Sequence, residues 1–222
     1  MPDREQIVKR IIDCGITAVV RLSESRRLLQ VAEAIKEGGV DVIEFTMTTP
    51  NALQILEECA SKYGEEVLWG AGTVLDAETA RAAILAGGQF IVSPTLDKAS
   101  IEMCHRYGKV AIPGTLTPNE ILAAQEAGAD LIKVFPARVM GPRYLRDILA
   151  PLPQVKLVPT GGVNLDTAAD FIKNGAAALA VGSALVSRQA VADENFALLT
   201  ETAKRFIEIV KQARGGQKLR PR

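Results

Sequence analysis

The chain has 222 residues, 48% hydrophobic and 23% charged, with 26 Lys and Arg balancing 26 Asp and Glu. That size and composition suit one globular unit with a large core, and a net charge of zero without a basic stripe argues against a nucleic-acid partner. No run approaches the ~18 apolar residues of a membrane helix, and the start "MPDREQIVKRIIDCG" lacks the apolar stretch of a signal peptide, so a cytoplasmic chain without a membrane partner is expected.

An amphipathic helix is predicted near 3–13, followed by a strand at about 16–22. Further on, one pattern recurs: a helical stretch, a glycine, then a short apolar run. It appears in "EGGVDVIEF", "LAGGQFIVS", "RYGKVAIPG", "EAGADLIKV" and "KNGAAALAV". Gly39, Gly88, Gly108, Gly128 and Gly175 fit the left-handed position that ends a helix, where a Cβ is unfavourable. The apolar runs are short and continuous, as in strands buried on both faces of a parallel sheet. Predicted strands follow at about 40–47, 67–74, 90–95, 110–115, 131–136, 156–161 and 178–184, eight in all with the first. Helix-start signals lie between them in "TTPNAL", "LDAETA", "LTPNEI" and "NLDTAA".

Eight alternating units without an evident linker predict an α/β fold, a (β/α)8 TIM barrel with an extra N-terminal helix, spanning residues 1–214 as a single domain. The first turn, "VVRLSESRR", has no glycine, unlike that of a doubly wound dinucleotide-binding sheet. The terminal "GGQKLRPR", residues 215–222, reads as a flexible basic tail. Cys14, Cys59 and Cys104 are widely spaced and cannot all pair, so reduced thiols are expected. His105, the single histidine, reads as a surface or cap residue near a helix end, and no metal site or cofactor is expected.

Barrel enzymes work at the C-terminal ends of their strands. In "ADLIKVFPAR" parity puts Leu131, Lys133 and Phe135 on one face, and an inward lysine would project an amine into the barrel mouth. Desolvation lowers a lysine pKa, and the neutral amine can attack a carbonyl to form a Schiff base. A core lysine paired with a carboxylate, or snorkelling to the rim, accounts for the segment equally well. Glu44 in "DVIEFTM" shares a face with Val42 and Thr46 and buries a carboxylate near the end of a second strand. Its pKa would rise into a range where it can shuttle protons, whereas a purely structural Lys133–Glu44 pair would be costly against an apolar one. "VPTGGVN" and "AVGSAL" place glycines after strands seven and eight, a frequent phosphate site in barrels.

Together, "IEFT", "GAGTV", "IVSP", "IPGTLTP", "IKVFPA", "PTGGV" and "GSALV" resemble the 2-keto-3-deoxy-6-phosphogluconate (KDPG) aldolases, many of which also accept 4-hydroxy-2-oxoglutarate. The resemblance runs from about residue 7 to about 210. It implies a class I aldolase on a homotrimeric barrel, needing no cofactor, that cleaves the sugar acid to pyruvate and glyceraldehyde 3-phosphate. Lys133 would form the Schiff base, and Glu44 would act through a water as general acid and base. Thr73 would help hold the pyruvate carboxylate, and Pro94 and Phe135 would line the pocket. Gly161, Gly162, Gly182 and Ser183 would hold the phosphate, with Thr160 beside them among the substrate-binding residues. Many members carry an arginine after the strand-two motif, where this chain has Thr48 in "EFTMTTP". Arg21, ending strand one in "AVVRLSES", is expected to supply the missing cation. Alternatives are the same chemistry on 4-hydroxy-2-oxoglutarate or the phosphogalactonate epimer, and a phosphate-binding barrel of other function.

Overall fold

The computed structural model describes residues 3–22 and 27–215. Among the described residues nine strands run in order: β1 (Ile16–Val20), β2 (Val42–Thr46), β3 (Leu68–Gly72), β4 (Phe90–Val92), β5 (Val110–Ile112), β6 (Gly114–Thr115), β7 (Ile132–Val134), β8 (Leu157–Pro159) and β9 (Leu179–Val181). The helices are α1 (Arg4–Cys14), α2 (Leu28–Glu37), α3 (Ala52–Tyr63), α4 (Ala77–Leu85), α5 (Lys98–Arg106), α6 (Pro118–Glu126), α7 (Ala137–Met140), α8 (Pro142–Leu149), α9 (Ala168–Lys173), α10 (Arg188–Ala192) and α11 (Phe196–Gly215).

All strand pairs are parallel. One ladder runs β5-β4-β3-β2-β1-β9 and a second runs β6-β7-β8. β5 and β6 are one predicted strand interrupted at Pro113, which has no N–H to continue the ladder. A bridge between Thr160 and Ala180 joins β8 to β9 and closes the ring. The eight predicted staves and the N-terminal helix are therefore present, and the fold is a (β/α)8 barrel.

Two apolar layers hold it. Outward strand residues pack under the helices, with Trp69 stacked on Phe45 at 5.5 Å between ring centroids. Inside, Val42, Leu68, Phe90, Val110, Leu131, Val158 and Ala178 meet Ile7, Val8 and Ile11 of α1. Thus α1 stoppers the N-terminal end of the barrel and leaves the other end for chemistry. It starts at a capping box, in which Asp3 accepts from Gln6 N–H and the Gln6 side chain accepts in return. Because Val42 and Leu131 point inward, so do Glu44 and Lys133, two residues further along each strand.

Seven of the predicted strands run one to three residues past their observed ends, because the C-terminal segments leave the ladder as loops; the fifth ends with β6 at Thr115 as predicted. In "LAGGQF" the left-handed residue is Gly87 (φ 102°), not Gly88; Gly88 is small because a Cβ there would meet Ala83 O at 2.8 Å. His105 is not a plain surface group. Its Nε2 is buried without a hydrogen bond, 3.7 Å from Asp130. Of the predicted tail, Gly215 belongs to α11 and the remainder lies outside the described residues. The three cysteines are unpaired, and burial pushes the Cys59 and Cys104 thiols up to about 12. No helix among the described residues is long and apolar enough to cross a membrane.

Candidate active site

Lys133 is 6% exposed and Glu44 2% exposed. The Lys133 backbone is held by the neighbouring β5–β6 segment. Its N–H donates to Pro113 O at 2.9 Å, and its carbonyl accepts from Thr115 Oγ1 at 3.0 Å. The break at Pro113 thus helps fix the lysine. Its ammonium lies 5.0 Å from the centre of the Phe135 ring. Burial lowers its pKa below the usual lysine range, Glu44 opposes that shift, and Arg21 adds to it.

Glu44 sits between Val19 of β1 and Gly70 of β3 in register. Burial pushes its carboxyl above the usual carboxylate range, against the opposing pull of Lys133 and Arg21. Its Oε2 is buried without a hydrogen-bond partner. No ion pair joins it to Lys133 among the described residues. A structural pair would be expected to close that gap, since an unsatisfied buried carboxylate oxygen is expensive. Gly72 makes the carboxylate's place. A Cβ there would lie 2.3 Å from Glu44 Oε1.

Thr73 follows Gly72 with φ 59°, a left-handed conformation that a β-branched residue rarely adopts. Its strain is held by neighbours on both sides: Gly72 O accepts from Met47 N–H at 2.7 Å, and Val74 N–H donates to Val92 O at 3.2 Å. The conformation aims Thr73 Oγ1 at Arg21 Nη2, 3.5 Å away. Arg21 has no carboxylate partner among the described residues. Thr48 is exposed, and its hydroxyl meets Thr46 Oγ1 at 3.1 Å. Pro94 is half-buried, its carbonyl packed where Gly114 leaves no Cβ.

Beside this cluster opens a cavity of about 490 Å³. Arg21, Phe135, Thr160, Gly161, Gly162, Gly182 and Ser183 all line it. Gly161 (φ 83°) and Gly162 (φ 94°) are both left-handed, so the β8 loop needs glycine at each. Lys133, Glu44, Thr48, Thr73 and Pro94 are not part of its wall; Phe135 and Arg21 connect the two groups. Phe135 is 38% exposed, so it covers one side of the amine and leaves its own outer edge to solvent. Sequence reasoning missed Gly72, Arg138 and Arg188, the last two of which also line the cavity. Gly72 lay in view inside "GAGTV"; the arginines would emerge from asking which cations follow each strand within a few residues. Among the described residues no three His, Cys, Asp or Glu side chains gather as metal ligands.

A family model for KDPG and KHG aldolase matches residues 7–202. The chain belongs to this aldolase family. It is a lyase on a barrel shared with the family's solved structures. It is 34% identical over 200 residues to a 2-dehydro-3-deoxy-phosphogluconate aldolase of Treponema pallidum, covering 88% of this chain and 93% of that one. It is 30% identical over 199 residues to a 2-dehydro-3-deoxy-6-phosphogalactonate aldolase of Escherichia coli, covering 89% and 95%. The KDPG aldolase of Legionella pneumophila, solved with pyruvate captured at low pH as a covalent carbinolamine intermediate, superposes with a TM-score of 0.82. It is 28% identical and covers 90% of this chain and 97% of that one.

Proposed function

We propose that this family member is a class I aldolase that cleaves 2-dehydro-3-deoxy-6-phosphogluconate to pyruvate and glyceraldehyde 3-phosphate, with Lys133 as nucleophile. The observation that carries the reading is a buried, desolvated amine beside a buried carboxyl that it does not pair with. Lys133 Nζ attacks the C2 carbonyl to give a carbinolamine. Glu44, acting through a water, supplies the proton with which the hydroxyl leaves as water, and an iminium remains. The iminium draws electrons from the C3–C4 bond as Glu44, through the water, takes the C4 hydroxyl proton, and the aldehyde departs. The enamine of pyruvate is then protonated at C3 and the imine hydrolysed, which regenerates the amine.

Thr73, Arg21 and Thr48 would receive the pyruvate carboxylate; the Thr73 Oγ1–Arg21 Nη2 contact at 3.5 Å and the strained Thr73 backbone support that role for the first two. Pro94 and Phe135 wall the reacting carbons. Thr160, Gly161, Gly162, Gly182 and Ser183 offer a cradle for the distal phosphate. Residues 1–214 act as one catalytic domain in the cytoplasm, in a homotrimer. Val139 and Met140 of α7, 64% and 42% exposed, support association between copies.

Pyruvate release should be measured on three substrates: phosphogluconate-derived, phosphogalactonate-derived and 4-hydroxy-2-oxoglutarate. The first should have the highest kcat/KM. A higher value for either of the others would reassign the substrate while leaving the chemistry. Arg21→Ala should raise KM for pyruvate in the condensation direction roughly tenfold, the loss of one charge-assisted contact, with little change in Tm. An unchanged KM would remove Arg21 from the carboxylate site.

A further inference from the structure

Strand β3 presents a bare inner face. Leu68 points into the barrel, and by parity so do Gly70 and Gly72. Glycine weakens a strand interior and marks a close approach by another group. Neither of these two has a positive φ, so it is lack of space, not backbone freedom, that excludes a side chain.

The space is taken from two sides. Glu44 reaches over Gly72 from β2, with its Oε1 where a Cβ would stand. Phe90 reaches over Gly70 from β4, on the other side of β3. A Cβ on Gly70 would lie 2.4 Å from Cε2 and Cζ of that ring and 2.6 Å from Cδ2. Glu44, Gly70 and Phe90 are successive partners in register across the three strands. Two residues along a strand span about 6.6 Å. Ring and carboxyl therefore share one trough, with the ring toward the closed end of the barrel. Phe90 is fully buried. It packs with Val42, Leu68 and Val110 and with Ile7, Val8 and Ile11 of α1, so the apolar filling continues down to the stopper. The charged groups facing Glu44 are Lys133 from β7 and Arg21 from the end of β1. The inward residues of β3, β4 and α1 are apolar or glycine.

We propose that Phe90 is a positioning residue of the reaction: its ring, lodged over Gly70, holds the Glu44 carboxyl over Gly72 and seals its inner side from water, so that Glu44 keeps the proton that carbinolamine dehydration consumes. The proposal rests on the aldolase reading of Lys133 and Glu44. An apolar wall offers a carboxylate no hydrogen bond, and so favours the neutral acid. The unpartnered Glu44 Oε2 and the raised carboxyl agree with such a wall. Phe90 acts through Glu44, not on the substrate.

The test is a kcat–pH profile of the intact protein with the 2-keto acid it cleaves fastest. Phe90→Thr replaces the ring by space and a hydroxyl, which together can hold water. Its alkaline midpoint should fall by about one pH unit, and kcat above that midpoint by about tenfold, because one unit is a tenfold change in the protonated fraction. KM should stay nearly constant. Phe90→Leu is smaller but apolar, and should keep the parent's midpoint. An unmoved midpoint in Phe90→Thr overturns the proposal, as does an equal fall in Phe90→Leu. If Phe90→Thr fails to fold, Gly70→Ala decides, because its methyl displaces the ring while Phe90 remains. Its midpoint should fall, and Gly70→Ala/Phe90→Leu should restore it; a midpoint that stays at the parent's value in Gly70→Ala overturns the proposal. Failure of the aldolase reading looks different: the parent itself then gives no cleavage and no pyruvate adduct on Lys133, whereas failure of the Phe90 role leaves an active parent and variants with its pH profile.

Discussion

Replacing Lys133 by Met should leave a folded barrel that no longer cleaves carbon–carbon bonds. No other amine in the site stands where this one does, so kcat should fall by roughly four orders of magnitude or more. Methionine nearly preserves the volume and removes a desolvated cation. The stability effect has a definite sign. The Lys133 pKa is lowered in the fold. The penalty is thus complete below the folded pKa, where both states are protonated, and fades as pH rises toward the unfolded value of about 10.4. The variant should match or exceed the parent's Tm at pH 7, and the margin should narrow by pH 10. Glu44, left without its cation, can take up a proton and so leaves no forced buried charge. Kinetics and a thermal melt at the two pH values check both halves. A variant that melts far below the parent at pH 7 would make Lys133 a structural residue.

Glu44→Gln should keep the adduct with pyruvate possible but slow every proton transfer. A positioned acid and base contributes about 10²–10⁴-fold, and kcat should fall within that range. Its pH dependence should change too. The raised carboxyl keeps its proton to higher pH than a free glutamate, whose pKa is about 4.3. The parent should therefore lose activity on the alkaline side as Glu44 ionises and can no longer donate. On the acid side it should lose activity as Lys133 becomes protonated, with a midpoint below the usual lysine value. Glutamine should erase the first limb and keep the second. A kcat–pH profile of both proteins tests this; an alkaline limb that survives in Glu44→Gln would assign it to another group.

The strands' order and inward parity were legible because buried parallel strands write continuous apolar runs between helix-ending glycines. Val42, Glu44 and Thr46, and Leu131 and Lys133, fell on the predicted faces. Strand ends were less legible. "IVSP" and "PTGG" continue the strands without a break in the sequence, and only hydrogen bonding separates loop from ladder. The interruption at Pro113 belongs to the same class, since "VAIPGT" reads as one strand until the missing N–H is counted. Within the site, the chemical pair was readable from residue type, because a charge amid apolar neighbours is conspicuous. Arg138 and Arg188 were not, because arginine at a helix start is ordinary on any surface. Only the fold brings α7 and α10 to opposite sides of the β8 loop. Gly72 was quoted as part of a motif, but its purpose needed a neighbour: the missing Cβ is the space that Glu44 Oε1 occupies.

The account stands on Lys133 as the covalent nucleophile, and one labelling experiment tests that directly. The folded protein is incubated with pyruvate, reduced with borohydride, digested, and the peptide masses read. The expected result is a pyruvate-derived secondary amine on the peptide bearing Lys133, absent from the Lys133→Met variant. No adduct on folded protein, or an adduct on a different lysine, would contradict the account and return Lys133 to the barrel's core.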